Sequence, residues 1–159
     1  MAAAHPVPTL EDSVEIEASP EEVWEVIKDV RRLAEWSPQV ESTLLKGDLA
    51  LGVRFTNANR HGELTWRTHG QVVTFEPGNE MAFRIEENWV VWSFRLEKTD
   101  RDTVILTQRR DAPDGISDLS KSLTDTYLGG QEPFTAVMRE GMRVTLQGIR
   151  ETVLSGVRK

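Results

Sequence analysis

Three polar side chains in the run "TWRTHGQVVTF" alternate along the chain: Arg67, His69 and Gln71. Residues two apart on a strand share a face. If Val73 and Phe75 turn inward, Arg67, His69 and Gln71 turn inward with them, barring a bulge at Gly70. A histidine in such a place suits general acid–base work, because its unperturbed pKa lies near working pH; the commoner alternative is a surface or plainly hydrogen-bonded histidine. Arg67 and Arg109 are placed to hold a carboxylate, phenolate or enolate oxygen, although a solvated arginine is the commoner outcome, and the strand 103–110 that carries Arg109 is apolar on both sides over Val104–Leu106, which leaves its facing open. The only tyrosine, Tyr127, lies in the polar stretch "DAPDGISDLSKSLTDTYLGG", from which a phenol reaches a pocket mouth or simply meets water. The catalytic candidates are therefore His69, Arg67 and Tyr127.

Any pocket for these groups must be built from the rings around them. Residues 70–94 carry Phe75, Met81, Phe83, Trp89, Trp92 and Phe94, which either fill a solid core or line an open space. With Trp66, the rings of Phe75, Phe83, Trp92 and Phe94 are the candidate apolar lining. The facing surface is a helix expected from Pro133 to about residue 156. At 100° per residue its apolar arc places Phe134, Gly141, Thr145, Gly148 and Thr152 along the middle, with Met138, Met142, Ile149 and Val153 on one flank. Small residues at the centre allow two readings. Either Gly141 and Gly148 let the helix sit close to its neighbours, or a ligand fills the space, in which case Arg109, Met138, Gly141, Met142 and Thr145 join the lining.

The elements that position these groups are clearly punctuated. "SVEIEAS" alternates as a strand with one wet side. "SPEEVWEVIKDV" begins a helix with Ser19 as N-cap, Pro20 at the first position and Glu22 completing a capping box. "RRLAEW" reads as a second short helix, stopped before Pro38. Strands follow at 39–45, 53–60, 63–76, 80–87, 89–98 and 103–110, joined at "KGD", "PGN", "EEN" and "TDRD". Residues 1–10 read as a flexible tail, 11–159 as a single domain, and 113–130 as a lid whose Ile116, Leu119, Leu123 and Tyr127 share one helical side.

Bulk properties narrow the function. The 159 residues suit one domain, and a formal net charge of −7 with a pI near 5.0 disfavours nucleic acid and anionic membrane surfaces. A hydrophobic share of 38% and a mean hydropathy of −0.42 indicate a soluble globular protein with no membrane span, for which the cytoplasm is the default location. The absence of cysteine excludes disulfides and thiolate chemistry. Three histidines, one of them in the tail, lack metal-ligand spacing, so neither metal nor cofactor is expected.

The order strand, two short helices, six strands, long helix, together with "ASPEEVWEVI", the Trp-x-Pro of "EWSPQV", "GQVVTFEPG" before "MAFRIE", "WSFRLE" and "EGMRVTLQGIRE", resembles the START-like (SRPBCC) helix-grip superfamily, and within it the polyketide cyclase/dehydrase branch. That resemblance implies an α+β fold in which a curved seven-stranded antiparallel sheet wraps around the C-terminal helix and leaves a deep, largely apolar pocket. It also implies a bacterial protein, monomeric or homodimeric, whose partner is a hydrophobic, polyketide- or lipid-like small molecule. Such a fold hosts many functions. Three stay open: a binding or carrier protein; a cyclase/dehydrase-type enzyme using a pocket acid/base, as pocket arginine and tyrosine residues are thought to do in aromatic polyketide cyclases; and a toxin-like or chaperone-type interaction module.

Overall fold

The expected capping box is formed. Ser19 Oγ accepts the backbone N–H of Glu22 at 3.2 Å, and the Glu22 carboxylate accepts the Ser19 N–H at 3.0 Å. With Pro20 at the first position and Glu21 and Glu22 in the first turn, orphan N–H groups are satisfied and the helix dipole is met by negative charge. Helix α1 (Pro20–Ile27) therefore starts sharply and buries Val23, Trp24 and Ile27 on one side. A 3₁₀ turn (Val30–Arg32), capped by Asp29, leads into the one-turn α2 (Leu33–Trp36). These elements belong to a computed structural model that describes residues 9–115, 117 and 131–157.

Seven strands are formed: β1 (Leu10–Ile16), β2 (Val40–Leu44), β3 (Arg54–His61), β4 (Leu64–Glu76), β5 (Glu80–Ile85), β6 (Val91–Lys98) and β7 (Val104–Asp111). They form one antiparallel sheet in the order β1-β7-β6-β5-β4-β3-β2. The 13-residue β4 is its pivot. Its first half pairs with β3 and its second half with β5, so the sheet shears and curls into a half-barrel. The last helix, α3 (Gln131–Val157), lies in the hollow, packed on β1, α1 and α2. This is the helix-grip fold.

Three expectations are corrected. Strand β1 begins at Leu10, which is fully buried and pairs with Arg110, rather than after a ten-residue tail; the polar Asp12 interrupts the inner face and hides the alternation upstream of Val14. Strand β5 stops at Ile85 and β6 starts at Val91, because Trp89 takes a left-handed φ of 70° and closes the turn with its N–H on the Ile85 carbonyl at 2.8 Å. In β4, the ladder slips between Val72 and Thr74, so Val73 is an extra residue on the strand. A bulge of this kind flips the parity of everything before it relative to everything after it.

The helix centre is also settled. A Cβ on Gly148 would lie 2.8 Å from Cδ1 of Trp36, whose ring is fixed by a 3.0 Å hydrogen bond from its indole N–H to Thr152 Oγ1. Gly141 faces Pro38, where a Cβ would stand at an ordinary 3.7 Å. The small residues of α3 thus meet the α2 region, and close approach of Trp36 is the reason for Gly148.

Candidate ligand-binding site

The bulge in β4 decides which side chains enter the half-barrel. Inward are Trp66, Thr68, Gly70 and Val72, then Phe75 beyond the bulge; outward are Arg67, His69, Gln71 and Val73. His69 and Arg67 are therefore exposed on the outer face, a correction to the inward placement their spacing suggested. The His69 ring and backbone N–H both engage Glu87, at 2.5 and 2.7 Å. Arg109 also faces outward, with its guanidinium 3.8 Å from Asp111. Tyr127 and the expected lid beyond Gly115, apart from Ser117, lie outside the described residues.

The expected lining divides. Phe75 packs edge-on against Trp24 at 5.4 Å, and Phe83 against Phe55 at 5.1 Å. Phe55 also lies over Gly70, where a Cβ would come within 2.4 Å of its ring. Phe83 and Phe94 are buried in the main core with Ile16, Ile27, Leu106, Ile149 and Val153, where Phe83 stands beside Trp92 and Phe94 beside Gln108, so this core reaches up to the polar groups of the other end. These rings fill space. Thr145 is buried, but its hydroxyl turns back to the Gly141 carbonyl at 2.7 Å.

The other end is built differently. There the ends of β3, β5 and β7 meet the starts of β1, β4 and β6 and the first turns of α3. Leu10, Met138 and Met142 form a separate small apolar cluster, with the partly buried Trp92 and Phe134 against it. Across the hollow, His61 meets Phe134 edge-on at 6.2 Å between ring centres. Trp66 is also only partly buried. Among these apolar groups sit buried polar ones: Asn57, Asn59, Gln108 and Arg110. Asn57 and Asn59 are satisfied by Thr43 (2.7 Å) and Thr68 (3.0 Å).

Two groups on β7 are not satisfied. Gln108 Oε1 is buried without a hydrogen-bond partner. Arg110 is 7% exposed, and its guanidinium makes no hydrogen bond or ion pair among the described residues. Burial alone pushes its guanidinium down from its ordinary range to about 10, as desolvation does to any cation without a counter-charge. A mostly apolar end with a few unmet polar groups is the composition of a small-molecule site.

Sequence reasoning missed Arg110, Gln108 and His61. Once β7 was in register, the alternation Val104, Leu106, Gln108, Arg110 marked the inner face, but the apolar Ile105 beside it masked that signal.

One metal-compatible group exists among the described residues. His69, Glu86 and Glu87 have ligand atoms within 4.8 Å of one another. All three lie on the outer side near the β5–β6 turn, where Glu86 is already paired with Arg54 and Glu87 with His69. Among the described residues no helix is long and apolar enough to cross a membrane.

Known structures share this architecture. The Zhui aromatase/cyclase from Streptomyces sp. R1128 superposes with a TM-score of 0.74 at 16% identity, over 94% of this chain and 95% of that one. The di-domain aromatase/cyclase StfQ from the steffimycin biosynthetic pathway gives 0.74 at 12% identity, over 95% of this chain and 52% of its own. The major latex-like protein 151 from Panax ginseng gives 0.67 at 12% identity, over 92% and 97%. At such identities the likeness is one of fold. No curated protein matches the sequence. The family model described as "Polyketide cyclase / dehydrase and lipid transport" matches residues 7–144, nearly the whole domain, and the chain belongs to that family.

Proposed function

We propose that the protein binds a hydrophobic or aromatic small molecule at the open end of the half-barrel, as a binding or carrier protein. The observation that carries this reading is the contrast in filling. One end is filled by closely packed apolar side chains, whereas the other sets partly buried Trp66 and Trp92 beside Gln108 Oε1 and the Arg110 guanidinium, which are buried with no partner among the described residues. Native interiors rarely leave such groups unmet unless something else meets them. Titration with polycyclic phenols, followed by tryptophan fluorescence, tests it. Saturable one-to-one quenching is expected, and its absence across a diverse panel overturns the reading.

A cyclase-type activity is the second reading. His61, half-buried at the same end and against Phe134, favours it, because an acid/base group beside the site is what such chemistry requires. The aromatase/cyclase structures of the same fold support it by analogy. The expected signature is turnover of a poly-β-keto thioester mimic, lost in His61→Gln while ligand binding persists. Binding without turnover in the wild type leaves the carrier.

A further inference from the structure

Arg110 and Gln108 stand two residues apart on β7, on the same inward face. Successive inward positions on a strand are about 7 Å apart. Their neighbours on that face are known from the register: Leu10 and Trp92 flank Arg110, and Asp12 and Phe94 flank Gln108. None supplies what these two groups lack. Leu10, Trp92 and Phe94 offer no acceptor for a guanidinium. Asp12, the nearest carboxylate on the facing strand, has an oxygen turned to the Ser13 backbone N–H at 2.8 Å.

The two unmet groups are complementary in kind. Arg110 is donor-only and cationic, whereas the orphaned atom of Gln108 is an acceptor. A buried, unpaired cation is costly, and so is a buried acceptor with nothing to accept. Resting on the reading that this end binds a small molecule, we propose that its ligand is an amphiphilic acid: a carboxylate, or an equivalent delocalised oxyanion, on Arg110, and a hydroxyl or N–H donor roughly 7 Å away on Gln108, with an apolar body lying toward Trp92 and Met138. The delocalised two-oxygen anion is favoured because a planar guanidinium engages it through two parallel hydrogen bonds. The lowered pKa of Arg110 is consistent with a charge that waits for its partner.

The test uses the full chain and matched probes: 6-hydroxy-2-naphthoate, 2-naphthoate and methyl 2-naphthoate, titrated by tryptophan fluorescence or calorimetry. The acid should bind at least about tenfold more tightly than the ester, the scale of a hydrogen bond to a charged group. The hydroxyl should add several-fold more. Arg110→Met should abolish the preference for acid over ester, and Gln108→Met should abolish only the hydroxyl increment. In the absence of ligand, Arg110→Met should melt at a temperature no lower than the wild type, since a costly buried charge is replaced by apolar volume; a structural arginine would melt lower. Arg110→Lys, which keeps the charge but loses the two-pronged geometry, should retain only part of the preference and provides the check should Arg110→Met fail to fold. Equal binding of acid and ester by the wild type overturns the acid assignment and leaves the ligand site intact. Binding of none of the three probes overturns both.

Discussion

The two ends of the half-barrel are lined by the same strands and crossed by the same helix, yet they are filled in opposite ways. At the closed end, Ile16, Leu106, Ile149 and α1's Val23 and Ile27 are all but fully buried, and Trp24 meets Phe75 edge-on at 5.4 Å. At the open end, Trp66, Trp92 and Phe134 stay partly buried, and Gln108 Oε1 and the Arg110 guanidinium have no partner among the described residues. Stability resides where complementarity is complete. On the proposed reading, function resides where the protein leaves complementarity to another molecule.

The largest expected effect tests that division. Leu106→Ala, at the closed end, should cost about 2–5 kcal/mol in urea unfolding, as large-to-small core changes do. Trp66→Ala, at the open end, should cost less by at least about 1 kcal/mol and should weaken naphthoate binding about tenfold. Equal destabilisation by the two changes would erase the distinction between the ends.

A smaller effect sharpens the division along α3. Gly148→Ala gains up to about 1 kcal/mol in helix propensity but drives a methyl into Trp36, and overpacking costs roughly 1–3 kcal/mol, so a net loss is expected. Gly141→Ala meets Pro38 at 3.7 Å and should gain about 0.5–1 kcal/mol. Thermal melting of both variants decides, and a stabilised Gly148→Ala would contradict the close packing of α2 on α3.

The smallest effect concerns the outside of the closed end. Glu15 on β1 accepts hydrogen bonds from Arg101 and from Thr103 Oγ1 at 3.0 Å, which hold its carboxyl below the usual range. A carboxylate whose folded pKa is depressed stabilises the protein above its unfolded pKa, and that contribution is lost as pH falls through the folded value. The urea midpoint of Glu15→Gln should therefore lie slightly below the wild type at pH 6 and converge with it toward pH 3. A constant gap across that range would show that the ion pair does not titrate with folding.

Much of this architecture was legible in the residues. Ser19, Pro20 and Glu22 mark the start of α1, and "PGN" marks the β4–β5 turn; each is a local signal, because capping and turn geometry depend on neighbours in the chain. The alternation of Met81, Phe83 and Ile85 marks the inner face of β5 for the same reason. The site was less legible. His69 and Arg67 carry the right chemistry but point outward, since one extra residue at Val73 reverses the parity of the strand before it. Gly148 suggested ligand space and instead serves Trp36, a residue 112 positions away in sequence.

The sequence by itself determined the elements, their order and the family, because these follow from periodicity, punctuation and motif, all of which are short-range. Only the tertiary structure decided which polar groups are buried. Arg109 and Arg110 are adjacent, identical side chains, and nothing local separates them. The register of β7 between β1 and β6 turns Arg109 to water beside Asp111 and Arg110 into the half-barrel, where its guanidinium has no partner among the described residues. Facing is a property of the assembled sheet, and desolvation of a charge is a property of everything packed around it.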